Sequence, residues 1–104
     1  MNTEKITLYV GLNDQDTKRQ EIATVEAYKI AQNLVCKLCG GGTIYEATGI
    51  YTHENGDIVT EKTLRIELFG APENAVFDLI RQMKTVFNQE SIIMQKEITN
   101  TVFI

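Results

Sequence analysis

His53-Glu54-Asn55-Gly56-Asp57 stands between two runs, Thr43–Thr52 and Ile58–Phe69, that are rich in β-branched and aromatic residues. Asn-Gly accommodates positive φ at both central turn positions, so it joins antiparallel strands with the twist they require. The spacing predicts a β-hairpin here. On its second strand Leu64, Ile66 and Leu68 alternate with Thr63, Arg65, Glu67 and Phe69. Period-two alternation separates a core face from a mixed face.

Toward the N-terminus, Ile6, Leu8 and Val10 alternate with Thr7, Tyr9 and Gly11, which predicts a first strand. A polar stretch over 12–20 follows and reads as an extended loop. Thr24 suits a helix N-cap, with Glu26 in the first turn. Val25, Tyr28, Ala31, Leu34, Val35 and Leu38 then make an apolar stripe at helical spacing, closed by Gly40-Gly41-Gly42. Beyond the hairpin, Pro72 opens a second helix whose stripe is Val76, Leu79, Ile80, Met83, Val86 and Phe87. Asn88-Gln89-Glu90 breaks it, residues 91–97 read as the last strand, and residues 98–104 as a short extension or a docked tail.

The order strand, helix, strand, strand, helix, strand is the split βαβ, ferredoxin-like arrangement, an α+β sandwich in one domain over 1–104. We expect a four-stranded antiparallel sheet with the first and last strands central and both helices on one face. The other face should display Thr7, Tyr9, Thr63, Arg65, Glu67 and Phe69, with Tyr45 and Tyr51 beside them. Such a surface suits a ligand, a second subunit or a protein partner, unless it is a plain wet sheet face.

The 104 residues carry 43% hydrophobic and 23% charged side chains, the composition of an ordinary globular domain. No signal-peptide core and no run of roughly 18 apolar residues is present, so a cytoplasmic location is expected, with Cys36 and Cys39 reduced. The formal charge of −4 repels nucleic-acid backbones and favours a basic protein surface.

Candidate chemistry is sparse. Cys36-Lys37-Leu38-Cys39 has metal-like spacing, but a helix C-terminus disfavours thiolates, and His53 is the one further strong ligand. Idle thiols are expected, the alternative being a metal shared across a dimer. His53 and Glu54 read as solvated turn residues, and Asp14 and Asp16 as loop-forming carboxylates with the wrong neighbours, Lys18 and Arg19, for a calcium loop. Glu46, Glu61 and Glu67 lie scattered, with no spacing that makes an acid-base dyad. Gly40-Gly41-Gly42 follows a helix, the reverse of a phosphate loop. Leu8-Tyr9-Val10-Gly11-Leu12 resembles the first-strand motif of RNA-recognition domains, but Lys62 to Phe69 lacks the second signature of that family, and the charge opposes RNA.

The runs Leu8-Tyr9-Val10-Gly11-Leu12-Asn13-Asp14, Asp16-Thr17-Lys18, Gln20-Glu21-Ile22, Gly49-Ile50-Tyr51, His53-Glu54-Asn55-Gly56 and Asn88-Gln89-Glu90-Ser91 resemble short acidic proteins of bacteriophages and mobile elements of Gram-positive bacteria. Some proteins of that kind are anti-CRISPR inhibitors of Cas9-type nucleases, which hold nucleic acid in basic channels. The expectation that follows is a non-catalytic interaction protein that inhibits a Cas9-type effector, with no metal or cofactor and no direct nucleic-acid or membrane contact. Its partner-binding residues would be Tyr9, Asp14, Asp16, Tyr51, Arg65, Glu67 and Phe69. One alternative is a ligand-binding or enzymatic dimer, a barrel of two open sheet faces with Tyr9, Tyr51, Arg65 and Glu67 lining its cavity. Another is a structural or regulatory module of a mobile element.

Overall fold

The chain alternates β1 (Asn2–Gly11), α1 (Thr24–Cys39), β2 (Thr43–Thr52), β3 (Ile58–Phe69), α2 (Glu73–Val86) and β4 (Ile93–Asn100) in a computed structural model that describes residues 2–104. The strands form one antiparallel sheet in the order β2-β3-β1-β4. The ferredoxin-like expectation holds, but β1 and β3 are the central pair, and the last strand lies at an edge. The reason is topological. Each helical crossover skips one strand position, so α1 carries the chain past the slot that β3 later fills, and α2 carries it past β1.

Ile6, Leu8 and Val10 pair with Leu68, Ile66 and Leu64, and all six are buried. Against them pack Ala27, Ala31 and Val35 of α1, Val76, Leu79 and Met83 of α2, and Phe87 just beyond it. The buried stripe of α1 is rotated from the predicted one. Alanines at 27 and 31 take the contact because their small side chains let the helix approach, while Val25 remains 63% exposed. Thr24 is the first helical residue and not the cap; its hydroxyl accepts a hydrogen bond from Gln20 Nε2 at 2.9 Å. Gly40, at φ 80°, closes α1 in the left-handed conformation as expected.

The hairpin turn differs from the expected one. Asn55 is not among the residues with positive φ; Gly56 is, at 90°. His53 N–H donates to Asp57 O, and Gly56 N–H donates to His53 O, so the glycine alone supplies the left-handed step of a longer loop. The last β1 partner of β3 is Gly11, opposite Thr63, whereas β2 and β3 stay paired as far as Thr52 and Ile58. The hairpin therefore projects as a two-stranded arm and stretches the molecule to 48 × 25 × 22 Å. β4 starts two residues later than predicted and runs to Asn100, leaving Val102, Phe103 and Ile104 exposed. No described helix is long and apolar enough to cross a membrane.

Candidate functional site

Where the arm leaves the sheet, an open cleft of about 470 Å³ forms between three segments. The arm contributes Gly49, Tyr51, Glu61 and Thr63; the loop after β1 contributes Asn13, Asp14, Gln15 and Lys18. Gln89, Glu90 and Ser91 close the third side, with Tyr9 and Gly11 on the sheet beneath.

Glu61 is the central acid of this cleft. Its Oε2 accepts the Asn13 N–H at 2.8 Å. A Cβ built on Gly11 would lie 2.5–2.6 Å from the Glu61 carboxylate, so that carboxylate occupies space which only glycine leaves free. On the other flank Glu61 pairs with Gly49. Gly11 alone makes room for the acid; a Cβ on Gly49 would meet the Thr63 Oγ1 at 3.1 Å and the Glu61 backbone oxygen at 3.7 Å.

The loop beside it is tied down from α2's end. Asn88, held at φ 47°, donates through Nδ2 to Asp14 Oδ1 at 3.0 Å and to Asp16 Oδ2 at 2.8 Å. Gln15 Nε2 donates to Asn88 Oδ1 at 2.9 Å, and Gln89 Nε2 donates to Asn13 O at 2.6 Å. Asp14 Oδ1 also accepts the Asp16 and Thr17 N–H groups. These bonds, the Thr17 amide foremost, lower the Asp14 pKa below the ordinary carboxylate value. Asp14 and Asp16 are loop-forming, as expected; Asp14 lines the cleft as well, and Asp16 stands outside it.

Tyr9 links the cleft to an ion cluster on the helix-free face. Arg65 pairs with Tyr9 on one side and Tyr45 on the other, and its guanidinium carbon lies 5.8 Å and 5.4 Å from their ring centres. Arg65 and Lys5 both reach Glu67 Oε2, at 3.0 Å and 3.2 Å, while the Tyr45 hydroxyl donates to Oε1 at 2.9 Å. Burial works against an ionised Glu67, but the bonds from Tyr45 and Lys5 and the charges of Lys5 and Arg65 outweigh it and lower its pKa. The hydrogen bond to Glu67 raises the Tyr45 pKa in turn. Glu67 and Thr7 are buried although they lie on the face without helices; Lys5, Arg65 and Tyr45 close around the Glu67 carboxylate.

Of the seven expected site residues, Tyr9, Asp14 and Tyr51 line the cleft, and Arg65 and Glu67 adjoin it across Tyr9. Phe69 sits beyond them, under Lys5 at 5.9 Å. The sequence reading set Glu61 aside and passed over Gly11 and Gly49; a two-residue Asn55-Gly56 turn would have set Gly49 opposite Lys62, and it is the longer loop that sets it opposite Glu61. Cys36 and Cys39 are free, and no group of three or more His, Cys, Asp or Glu among the described residues is placed to hold a metal ion.

No protein family matches the chain, and no curated protein sequence does. Solved structures match over nearly all of it. A phage SAM lyase in complex with S-methyl-5'-thioadenosine superposes with a TM-score of 0.68 at 21% identity, covering 91% of this chain and 80% of the lyase. CutA1 from Oryza sativa gives 0.59 at 17% identity over 96% and 84% of the two chains. The divalent ion tolerance protein CutA1 from Ehrlichia chaffeensis gives 0.58 at 13% identity over 95% and 84%. At these identities the likeness shows the fold alone. It corrects the expectation of a chain without enzymatic character, because an enzyme is among the proteins that share this fold across its length.

Proposed function

We propose that the chain is an enzyme of the lyase type that binds an S-adenosyl sulfonium compound in the cleft and releases S-methyl-5'-thioadenosine. The observation that carries this reading is Glu61, its carboxylate set in the space left by Gly11, in one cleft with Tyr9 and Tyr51. The volume falls within the ordinary range for small-molecule sites. Three carboxylates, Asp14, Glu61 and Glu90, against one ammonium, Lys18, make the cleft acidic, which favours a cationic ligand. The tyrosine faces suit both an adenine ring and a sulfonium. The phage origin of the lyase that shares this fold adds support.

The chemistry sets the division of labour. Breaking the bond between sulfur and the aminobutyrate carbon sends the bonding pair to sulfur, so positive charge disappears on the way to the transition state. A carboxylate held against the sulfonium would stabilise the ground state more than the transition state. Glu61 therefore belongs on the ribose hydroxyls, the use an acidic residue serves in dinucleotide sites, and the tyrosines belong near sulfur. The carbon that sulfur leaves fills its valence from within the substrate, either from its own carboxylate, which closes a lactone, or from a neighbouring C–H bond whose proton passes to water in the open cleft.

The reading includes self-association. Ile50, Ile58 and Ile98 are 70%, 73% and 70% exposed on the arm and the edge strand, and a projecting two-stranded ribbon is marginal in water by itself. A second copy covering the arm would also shield the open side of the cleft. Light scattering on the purified protein is expected to give a multiple of the 11.7 kDa chain mass. The function is tested by incubation with S-adenosylmethionine and chromatography for S-methyl-5'-thioadenosine. Wild type forms it and Glu61→Ala does not; no product from the folded wild type refutes the lyase.

Inhibition of a Cas9-type effector is a separate proposal, supported by the charge of −4. It fails if the protein leaves cleavage by such an effector unchanged with guide RNA present.

A further inference from the structure

We propose that Arg65 is the specificity-determining residue for the ligand's amino-acid end, its guanidinium taking the carboxylate of an S-adenosyl amino acid whose nucleoside lies in the cleft. This inference rests on the reading of the cleft as an adenosyl site and names what selects the rest of the ligand.

Charge comes first. Lys5 and Arg65 share a single oxygen of a single buried carboxylate, Glu67. Lys5 also pairs with the exposed Glu97 at 4.0 Å, so the four charges balance formally. Among the described residues Arg65 has no acid of its own, because the one carboxylate it reaches is shared with Lys5. Donor capacity comes second. A guanidinium carries five N–H donors in a fixed fork. Arg65 commits a terminal nitrogen to Glu67, while its Nε is buried with no partner among the described residues. Nε lies out of a ligand's reach, so a carboxylate would be met by the terminal N–H donors that Glu67 leaves free. The side chain keeps 36% of its surface, so a ligand can reach it.

Position comes third. Thr63 lines the cleft, and Arg65 is the next residue of β3 on the same face. Its cross-strand partner Tyr9 lines the cleft too, and the guanidinium lies over that ring. Along β3, Glu61 and Arg65 are four residues apart, about 13 Å at strand rise. An extended aminobutyrate chain with its sulfur bridges a comparable length between ribose hydroxyls and α-carboxylate. A ribose held by Glu61 thus sends its amino-acid arm across Tyr9 toward Arg65.

Two neutral thioethers separate the parts. S-methyl-5'-thioadenosine has the nucleoside and no amino acid; S-adenosylhomocysteine has both. By isothermal titration the wild type is expected to bind S-adenosylhomocysteine at least about tenfold more tightly, the worth of a charge-assisted pair. In Arg65→Met, S-adenosylhomocysteine falls to the level of S-methyl-5'-thioadenosine, whose own affinity does not change. Arg65→Lys, which keeps the charge without the fork, recovers part of the difference, and thermal melting verifies that both variants fold. Equal binding of the two compounds by wild type, or equal weakening of both in Arg65→Met, overturns the role of Arg65 while the adenosyl site stands. Failure of folded wild type to bind either compound overturns the adenosyl reading, and this inference with it.

Discussion

Replacing Gly11 by alanine tests whether the space beside Glu61 matters to the ligand and not to the fold. The new Cβ would meet the Glu61 carboxylate at 2.5–2.6 Å. That carboxylate is the far end of a flexible side chain, so it yields, and the Asn13 N–H loses its acceptor. The Asn13 amide is only partly buried and can turn to water, for a net loss of about 0.5–1.5 kcal/mol. Alanine recovers about 0.5–1 kcal/mol, because glycine gives up more chain entropy on folding. The sum is within about 1 kcal/mol, which moves Tm by no more than about 4–8 °C in a domain of this size. The affinity for S-methyl-5'-thioadenosine, by contrast, should fall at least about tenfold, or 1.4 kcal/mol, once Glu61 is displaced. Gly42→Ala is the control. Its Cβ would press on Leu68 Cδ2 at 2.8 Å, the Glu67 carbonyl oxygen at 2.9 Å and Val35 Cγ1 at 3.1 Å, none of which can swing away. Overpacking there costs about 1–3 kcal/mol, with ligand affinity per folded molecule preserved. Calorimetry gives Tm and titration the affinity. A Gly11→Ala protein that melts and binds like wild type would refute the placement of Glu61 in the ligand site.

Asn88→Gly keeps a residue suited to φ 47° but removes the side chain that brackets Asp14 and Asp16, so ligand affinity should drop with little change in Tm, whereas Asn88→Ala should lower both; equal melting of the two variants counts against the separation. Glu67 has a folded-state pKa below its unfolded value, so its contribution is complete above the ordinary carboxylate range and is lost as pH falls through the folded pKa. Glu67→Gln is expected to flatten the acid limb of a Tm-against-pH curve, and an equally steep limb argues against the ion cluster; Asp14, lowered for its own reasons, leaves a residual slope. Leu79→Ala empties a fully buried position between helix and sheet and should cost about 2–5 kcal/mol by urea titration, with a smaller loss refuting its place in the core.

The elements themselves were legible because their signals are local. Strand alternation at Leu64, Ile66 and Leu68, the stripe of α2 and the glycine after α1 each follow from short-range sterics or periodicity. Strand order was misjudged because it depends on what each crossover skips, which no local pattern records. The face of α1 was misjudged because hydrophobicity ranks Val25 and Tyr28 above Ala27, whereas close packing prefers the alanine. Glu61 was passed over for a related reason: it was weighed for acidic neighbours at fixed spacing, while what places its carboxylate in the cleft is the absence of a side chain at Gly11 on the neighbouring strand.

Glu61 and Arg65 share β3 and one sheet face, yet their surroundings push them toward different uses. Glu61 receives one backbone N–H, fills the space beside Gly11 and has no ion-pair partner within 4.0 Å among the described residues. Arg65 is braced between two tyrosine rings and a buried carboxylate, which fixes its fork before any ligand arrives. Fixing costs entropy at folding that need not be lost again at binding. The proposed ligand carries a cation near its middle, hydroxyls at the nucleoside and a carboxylate at the far end. An acidic cleft followed by an arginine has that polarity along β3, and a neutral nucleoside would use only half of it. The braced arginine is thus the feature that distinguishes a site for an S-adenosyl amino acid from one for an adenosine derivative alone, and the paired thioethers read that distinction directly.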